Sequence, residues 1–243
     1  MRNAEMEQNK DQGIFITFEG GEGAGKSTHI SFLAYCLREL GYEVLCLREP
    51  GGTDIGEMLR SIVLDPKNDC LDAHAELFIY EAARAQIVAQ VIAPALKRGA
   101  IVLCDRFYDS TVAYQVAGRG LSAQFVDAAN AFACQGTVPQ RTILMVSATT
   151  EEGLTRATNE GADRIERAGV DFHERVNAAF LDIARKEPER VRVVRFADSK
   201  AETAQRVFDQ VKDLIPALEC AASANEHFFD RVEDKSLYEG SAL

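Results

Sequence analysis

The chain has 243 residues, 47% hydrophobic and 27% charged, with 27 Lys and Arg against 38 Asp and Glu for a formal net charge of −11. That apolar content excludes a disordered chain, and no run approaches the roughly 20 apolar residues of a membrane span. The acidic balance argues against nucleic acid or an anionic membrane as partner, whereas small anionic ligands need only local positive charge.

Residues 1–12 read as a polar extension with no apolar stretch of the kind a secretory signal needs. Candidate strands follow at Ile14–Glu19, Glu43–Arg48, Ala100–Asp105, Thr142–Val146 and Arg192–Phe196. The runs VLCL and IVLC are apolar on consecutive positions, which suits strands covered on both faces of a parallel sheet. Between them Ile30, Leu33, Leu37 and Leu40 recur at helical spacing, with Gly41 as a C-terminal cap. Leu77, Tyr80, Arg84, Ile87, Val91 and Leu96 predict a longer helix ending near Gly99. Phe172, Val176, Phe180 and Ile183 predict another that stops before Pro188, and a last helix is expected over about Ala201–Leu218. Strands alternating with helices predict an α/β doubly wound fold. Residues 219–243 carry six acids against two bases and read as an acidic tail, flexible or weakly docked through Phe228 and Phe229.

The six cysteines, at 36, 46, 70, 104, 134 and 220, form no C-x-x-C pair. Cys46 and Cys104 fall in apolar strands, where a thiol acts as a small core hydrophobe, and a reducing, cytoplasmic compartment is expected.

The strongest motif is GGEGAGKS at Gly20–Ser27, which fits G-x-x-x-x-G-K-[ST] between a strand and a helix. Gly20, Gly23 and Gly25 allow backbone N–H groups to turn inward around phosphate oxygens, and the helix N-terminus adds favourable partial charge. Lys26 is placed to reach the terminal phosphates, and the Ser27 hydroxyl to ligate Mg²⁺. The motif alone indicates nucleotide binding and leaves switch, motor and kinase open.

Three further segments follow it in order: REPGGT at Arg48–Thr53, YEAAR at Tyr80–Arg84 and DRFYDSTVAYQ at Asp105–Gln115. Together with FEGGEGAGKST they resemble the bacterial thymidylate kinases over about residues 13–218. The resemblance implies a P-loop domain with a five-stranded parallel sheet, helices on both faces and a small lid at about 154–169. It also implies ATP- and Mg²⁺-dependent phosphorylation of dTMP to dTDP, and a homodimer. Gly20, Gly21, Glu22, Gly23, Ala24, Gly25, Lys26, Ser27 and Thr28 then bind ATP. Glu22 faces the deoxyribose 3′-hydroxyl, and Tyr80, usually Phe in the family, stacks on thymine. Arg84 and Arg106 hold the monophosphate, while Ser110, Thr111 and Gln115 line the base edge. Arg48, Glu49 and Pro50 lie in a nucleotide-contacting loop, with Arg60 near the thymine. Asp105 joins Ser27 at the metal. Arg164, then Arg156, is the lid arginine expected to act with Lys26 and Arg106 in catalysis, with Asp163 and Glu166 orienting them. Thr158, Asn159 and Glu160 stand where relatives often carry arginine.

These residues predict a basic cleft on an acidic body. Two other readings stay open: a broader pyrimidine nucleoside-monophosphate kinase, and a non-catalytic P-loop module. A guanine-specific switch would carry N-K-x-D, which the sequence lacks.

Overall fold

The computed structural model describes residues 13–147, 149–157 and 162–238. The extension at 1–12 and the departures at Thr158, Asn159 and Glu160 lie outside them. Strands β1 (Ile14–Glu19), β2 (Val44–Arg48), β3 (Ile101–Asp105), β4 (Arg141–Val146) and β5 (Val191–Arg195) are all parallel, in the order β2-β3-β1-β4-β5. Each starts and ends within one residue of its expected range.

The consecutive apolar runs have the predicted cause. Ile16, Phe18, Ile101, Leu103, Ile143 and Met145 pack on one face against α1 (Lys26–Glu39). Phe15, Val102 and Cys104 pack on the other, against the helical stretch after β2. That stretch comprises α2 (Asp54–Leu64), α3 (Ala73–Ile87), a π turn at Val88–Ile92 and α4 (Ala93–Lys97). The π turn interrupts what the sequence predicts as one regular helix. Pro94 follows it and has no N–H to donate into the ladder. Helix α1 ends as expected on Gly41, whose φ of 83° lets Gly41 N–H donate to Arg38 O and Tyr42 N–H to Leu37 O.

After β3, α5 (Tyr108–Thr111) continues into a second π segment, Val112–Gly118, and α6 (Ala123–Cys134) follows. After β4 come α7 (Thr150–Ala157) and α8 (Val170–Lys186), the latter burying Phe172, Val176, Phe180 and Ile183. No described helix is long and apolar enough to cross a membrane.

Two expectations at the C-terminus are corrected. The single helix over 201–218 is two, α9 (Lys200–Asp209) and α10 (Pro216–Ser223), because Pro216 cannot continue a helix from the preceding turn. The acidic tail is built into the core through residue 238. Phe228, Val232 and Tyr238 are buried with Phe32 of α1 and Phe208 of α9. The Phe228 ring lies 5.4 Å from Phe208 and 6.3 Å from Phe32, each edge to face. Arg231 stacks 4.8 Å from the Tyr35 centroid and donates to its hydroxyl. The described acids of the tail instead face outward: Glu233, for one, pairs with Lys200 at 2.9 Å.

Phe228→Ala is therefore expected to destabilise the protein by about 3–5 kcal/mol. The check is a urea unfolding curve, where a loosely attached tail would shift stability by less than about 0.5 kcal/mol.

Candidate active site

The strand order sets β1 beside β3 where connections leave in opposite directions, the crevice in which open α/β sheets bind ligands. The loops after these two strands carry most of the expected residues. A cavity of about 440 Å³ there is lined by Glu22 to Thr28, Arg48, Glu49, Pro50, Arg60, Tyr80, Arg84, Asp105, Arg106, Ser110, Thr111 and Gln115.

Backbone geometry shapes the P-loop. Gly20 has φ 132°, and a Cβ there would meet Met145 O at 2.2 Å. Gly23, at φ 63°, would place one 2.0 Å from Gly153 O of α7. Lys26 Nζ donates to Gly20 O (3.3 Å) and Gly21 O (3.1 Å) and lies 4.0 Å from Asp105 Oδ1. Ser27 Oγ donates to Asp105 Oδ2 at 3.4 Å, while Asp105 Oδ1 is buried without a hydrogen-bond partner. A hydroxyl beside an unsatisfied carboxylate oxygen, next to a phosphate loop, fits a Mg²⁺ that takes its remaining ligands from phosphates and water.

Arg106 follows β3 with φ 68°, a left-handed conformation that few non-glycine residues adopt. Its Nη2 donates to Glu22 Oε1 (2.7 Å), and its Nη1 to Gly20 O (3.0 Å) and Ser110 Oγ (3.3 Å). Tyr114 Oη also donates to Glu22 Oε1, at 2.7 Å. Burial pushes the Glu22 carboxyl up, but Arg106 and Lys26 outweigh it and bring it to about 2.

Arg84 is 2% exposed. Its guanidinium donates to Glu49 (2.7 and 2.8 Å), Glu81 (3.0 Å), Thr111 (2.9 Å) and Asn130 (2.8 Å). The Glu49–Pro50 peptide bond is cis, a point the sequence leaves open. Arg48 pairs with Glu57 at 3.0 Å, and Arg60 donates to Pro50 O at 2.9 Å.

The expected basic cleft is corrected by this pairing. Among the described residues the lining has five basic side chains (Lys26, Arg48, Arg60, Arg84, Arg106) and five acidic ones (Glu22, Glu49, Asp105, Asp163, Glu166). Of the two lid arginines, Arg164 does not add to it. Arg164 is outside the lining and donates to Val63 O (2.8 Å) and to buried Glu76, although neighbouring Asp163, Ile165 and Glu166 line the cavity. The side chain of Arg156 lies outside the described residues.

Sequence reasoning misses Glu19, Tyr114, Glu76 and the close approach of Gly153. Glu19 and Tyr114 lie inside the motifs FEGGEGAGKST and DRFYDSTVAYQ, but the partners of these two and of Glu76 are distant in the chain, so spacing assigns them no role; at 153 only the small residue hints at tight packing. Glu19 is fully buried at the end of β1 and accepts from Phe107 N–H (2.8 Å) and Ser110 Oγ–H (2.6 Å). Burial, reinforced by Asp109, pushes its carboxyl up to about 8. Between the ordinary carboxylate range and that value, the folded protein holds a proton that the unfolded chain releases, so stability falls as pH rises. Glu19→Gln should make the decline from pH 5 to 8 shallower by up to about 1.4 kcal/mol per pH unit. Urea midpoints across that range measure it, and an unchanged slope would refute the protonated state.

Comparison with known proteins follows the same lines. The family model described as "Thymidylate kinase" matches residues 18–207. The thymidylate kinase of Trichlorobacter lovleyi is 43% identical over 205 residues, covering 82% of this chain and 96% of that protein. That of Pseudomonas putida is 47% identical over 197 residues, covering 81% and 94%. The crystal structure of thymidylate kinase from Ehrlichia chaffeensis superposes with a TM-score of 0.68 at 31% identity, covering 82% of this chain and 98% of that one. On sequence and on fold, the chain belongs to the thymidylate kinase family.

Proposed function

We propose that the protein transfers the γ-phosphoryl group of ATP to dTMP, giving dTDP, with Mg²⁺ as the required cation. The observation that carries this reading is one cavity lined both by the P-loop and by Tyr80, Arg84, Arg106 and Gln115. A second nucleotide thus has its own aromatic, cationic and amide contacts beside the first. Tyr80 stacks on the thymine, with Ser110, Thr111, Gln115 and Arg60 at its edge. Arg106 and Arg84 hold the phosphate, and Glu22 accepts from the 3′-hydroxyl. Arg48, Glu49 and Pro50 close that side.

The dTMP phosphate is already a nucleophile near neutral pH, so the site needs no strong general base. Its work is positioning and charge stabilisation. Lys26 releases the Gly20 and Gly21 carbonyls to meet the transferring group. Mg²⁺, held by Ser27 and Asp105, supplies charge neutralisation on the phosphate oxygens when bound. Residues 154–169 act as a lid that excludes water, within a domain that starts at residue 13 and takes in the buried tail through residue 238. Arg156 stands ahead of Arg164 as the lid's phosphate contact, because Arg164 is committed to Glu76. Free thiols at all six cysteines suit a reducing cytoplasm.

A homodimer is supported by exposed Met58, Phe78, Phe125 and Phe132 on α2, α3 and α6. Phe132 is 87% exposed, and Phe78 and Phe125 meet edge to face at 6.1 Å. Large apolar side chains exposed on neighbouring helices suit an interface with a second copy. Phe78→Glu should shift sedimentation from dimer to monomer; a monomeric parent chain would sink the reading.

Two kinetic variants test the site. Lys26→Ala should lower kcat by about 100-fold or more with little change in dTMP KM. Arg106→Ala should lower kcat/KM for dTMP by about 100-fold while ATP still binds. Unchanged dTMP kinetics would remove Arg106 from the acceptor site. Equal or faster turnover of UMP, dUMP or AMP by the parent enzyme would overturn the dTMP assignment.

A further inference from the structure

A buried carboxylate stands behind the part of the cavity assigned above to the thymine. Glu76 of α3 is 0% exposed. Its Oε1 accepts from Gln115 Nε2 (2.8 Å) and Arg119 Nε (3.1 Å), and its Oε2 from Arg119 Nη2 (3.0 Å) and Arg164 Nη2. Burial pushes the Glu76 carboxyl up, but the hydrogen bonds from Arg119 and Arg164 outweigh it and hold it below the ordinary range. The group is therefore ionised, able to accept hydrogen bonds and unable to donate.

This settles the sense of the Gln115 amide. A primary amide can exchange its oxygen and nitrogen by a half-turn about its last bond. Here the half-turn would press Gln115 Oε1 against Glu76 Oε1, two buried acceptors with no proton between them. Nε2 thus stays on Glu76. Gln115 lines the cavity at 2% exposure, and no hydrogen bond from another described residue reaches its Oε1.

We propose that Glu76 is a positioning residue for base selection: it holds Gln115 with the carbonyl oxygen available to the ligand, and so favours pyrimidines that carry N3–H. The inference rests on the placement of the thymine edge at Gln115. Thymine and uracil donate N3–H to that oxygen, and their O4 can accept the second N–H of Nε2. Cytosine presents the opposite order, an acceptor at N3 and an amino group at C4. To match it the amide must make the half-turn that Glu76 opposes. Arg119 and Arg164 keep the carboxylate ionised. Arg164 also anchors it to α2, through its N–H on Leu64 O (3.0 Å) and its Nε on Val63 O (2.8 Å).

The test compares kcat/KM for dTMP and dCMP in the full chain, Glu76→Gln, Gln115→Met and the double variant. Both acceptors are measured on one preparation, so an inactive fraction cancels from the ratio. The dTMP-to-dCMP ratio should fall by about tenfold or more in Glu76→Gln, whose neutral amide tolerates either sense of Gln115. It should fall similarly in Gln115→Met and no further in the double variant. If Glu76→Gln does not fold, Glu76→Asp replaces it, keeping the charge for both arginines but withdrawing from Gln115, with the same expectation. A ratio unchanged at position 76 but lowered in Gln115→Met overturns the proposal and leaves the base site standing. A ratio unchanged in Gln115→Met overturns the base site itself. A further fall in the double variant also overturns the proposal, since Glu76 would then act other than through Gln115.

Discussion

Arg84 sits 2% exposed between Glu49 and Glu81, and the rest of the site answers to the same requirement. A cation taken out of water costs several kcal/mol unless an acceptor goes with it. Every arginine brought to the cavity therefore arrives with an oxygen partner: Arg48 with Glu57, Arg60 with the Pro50 carbonyl, Arg106 with Glu22. Lys26 uses the Gly20 and Gly21 carbonyls and Asp105. The acidic composition of the chain thus reaches into its active site, in carboxylates that hold the cations in place before any nucleotide enters.

Those partners can meet only because the sheet brings them together. The order β2-β3-β1-β4-β5 sets the end of β1 beside the end of β3, so the P-loop and Arg106 become neighbours across 86 positions of sequence. The turn after β3 is tight enough to put Arg106 at φ 68°, which costs on the order of 1 kcal/mol for a residue with a side chain. The surroundings hold it there: its N–H donates to Phe18 O at 2.9 Å, and its guanidinium bonds Gly20 O and Glu22. Position in the fold, local backbone strain and ion pairing are one arrangement.

Legibility in the sequence tracks how local each feature is. The P-loop is readable because its chemistry needs consecutive residues between a strand and a helix, and the strands because burial on both faces leaves unbroken apolar runs. The roles of Glu76, Glu19 and Tyr114 are unreadable, since their partners Gln115, Ser110 and Glu22 lie 39, 91 and 92 positions away. Arg164 matched a family position, but a partner 88 residues distant redirects its side chain to Glu76. The tail is hard to read for a different reason. Its acids dominate the composition, while its order depends on three spaced apolar residues, Phe228, Val232 and Tyr238, whose receiving surface belongs to α1 and α9.

A cavity with balanced charge changes how phosphate recognition must work. Anionic ligands do not fall into a vacant positive well; they compete for donors already engaged. Arg106 is suited to this because a guanidinium offers five N–H donors, and it can keep Glu22 on Nη2 while Nη1 turns from Gly20 O to a phosphate. Lys26 has no such reserve of fixed directions and must give up loop carbonyls, a weaker set of acceptors than a phosphate oxygen. On the proposed function, the carboxylates and carbonyls that hold these cations are the groups an entering phosphate has to compete with.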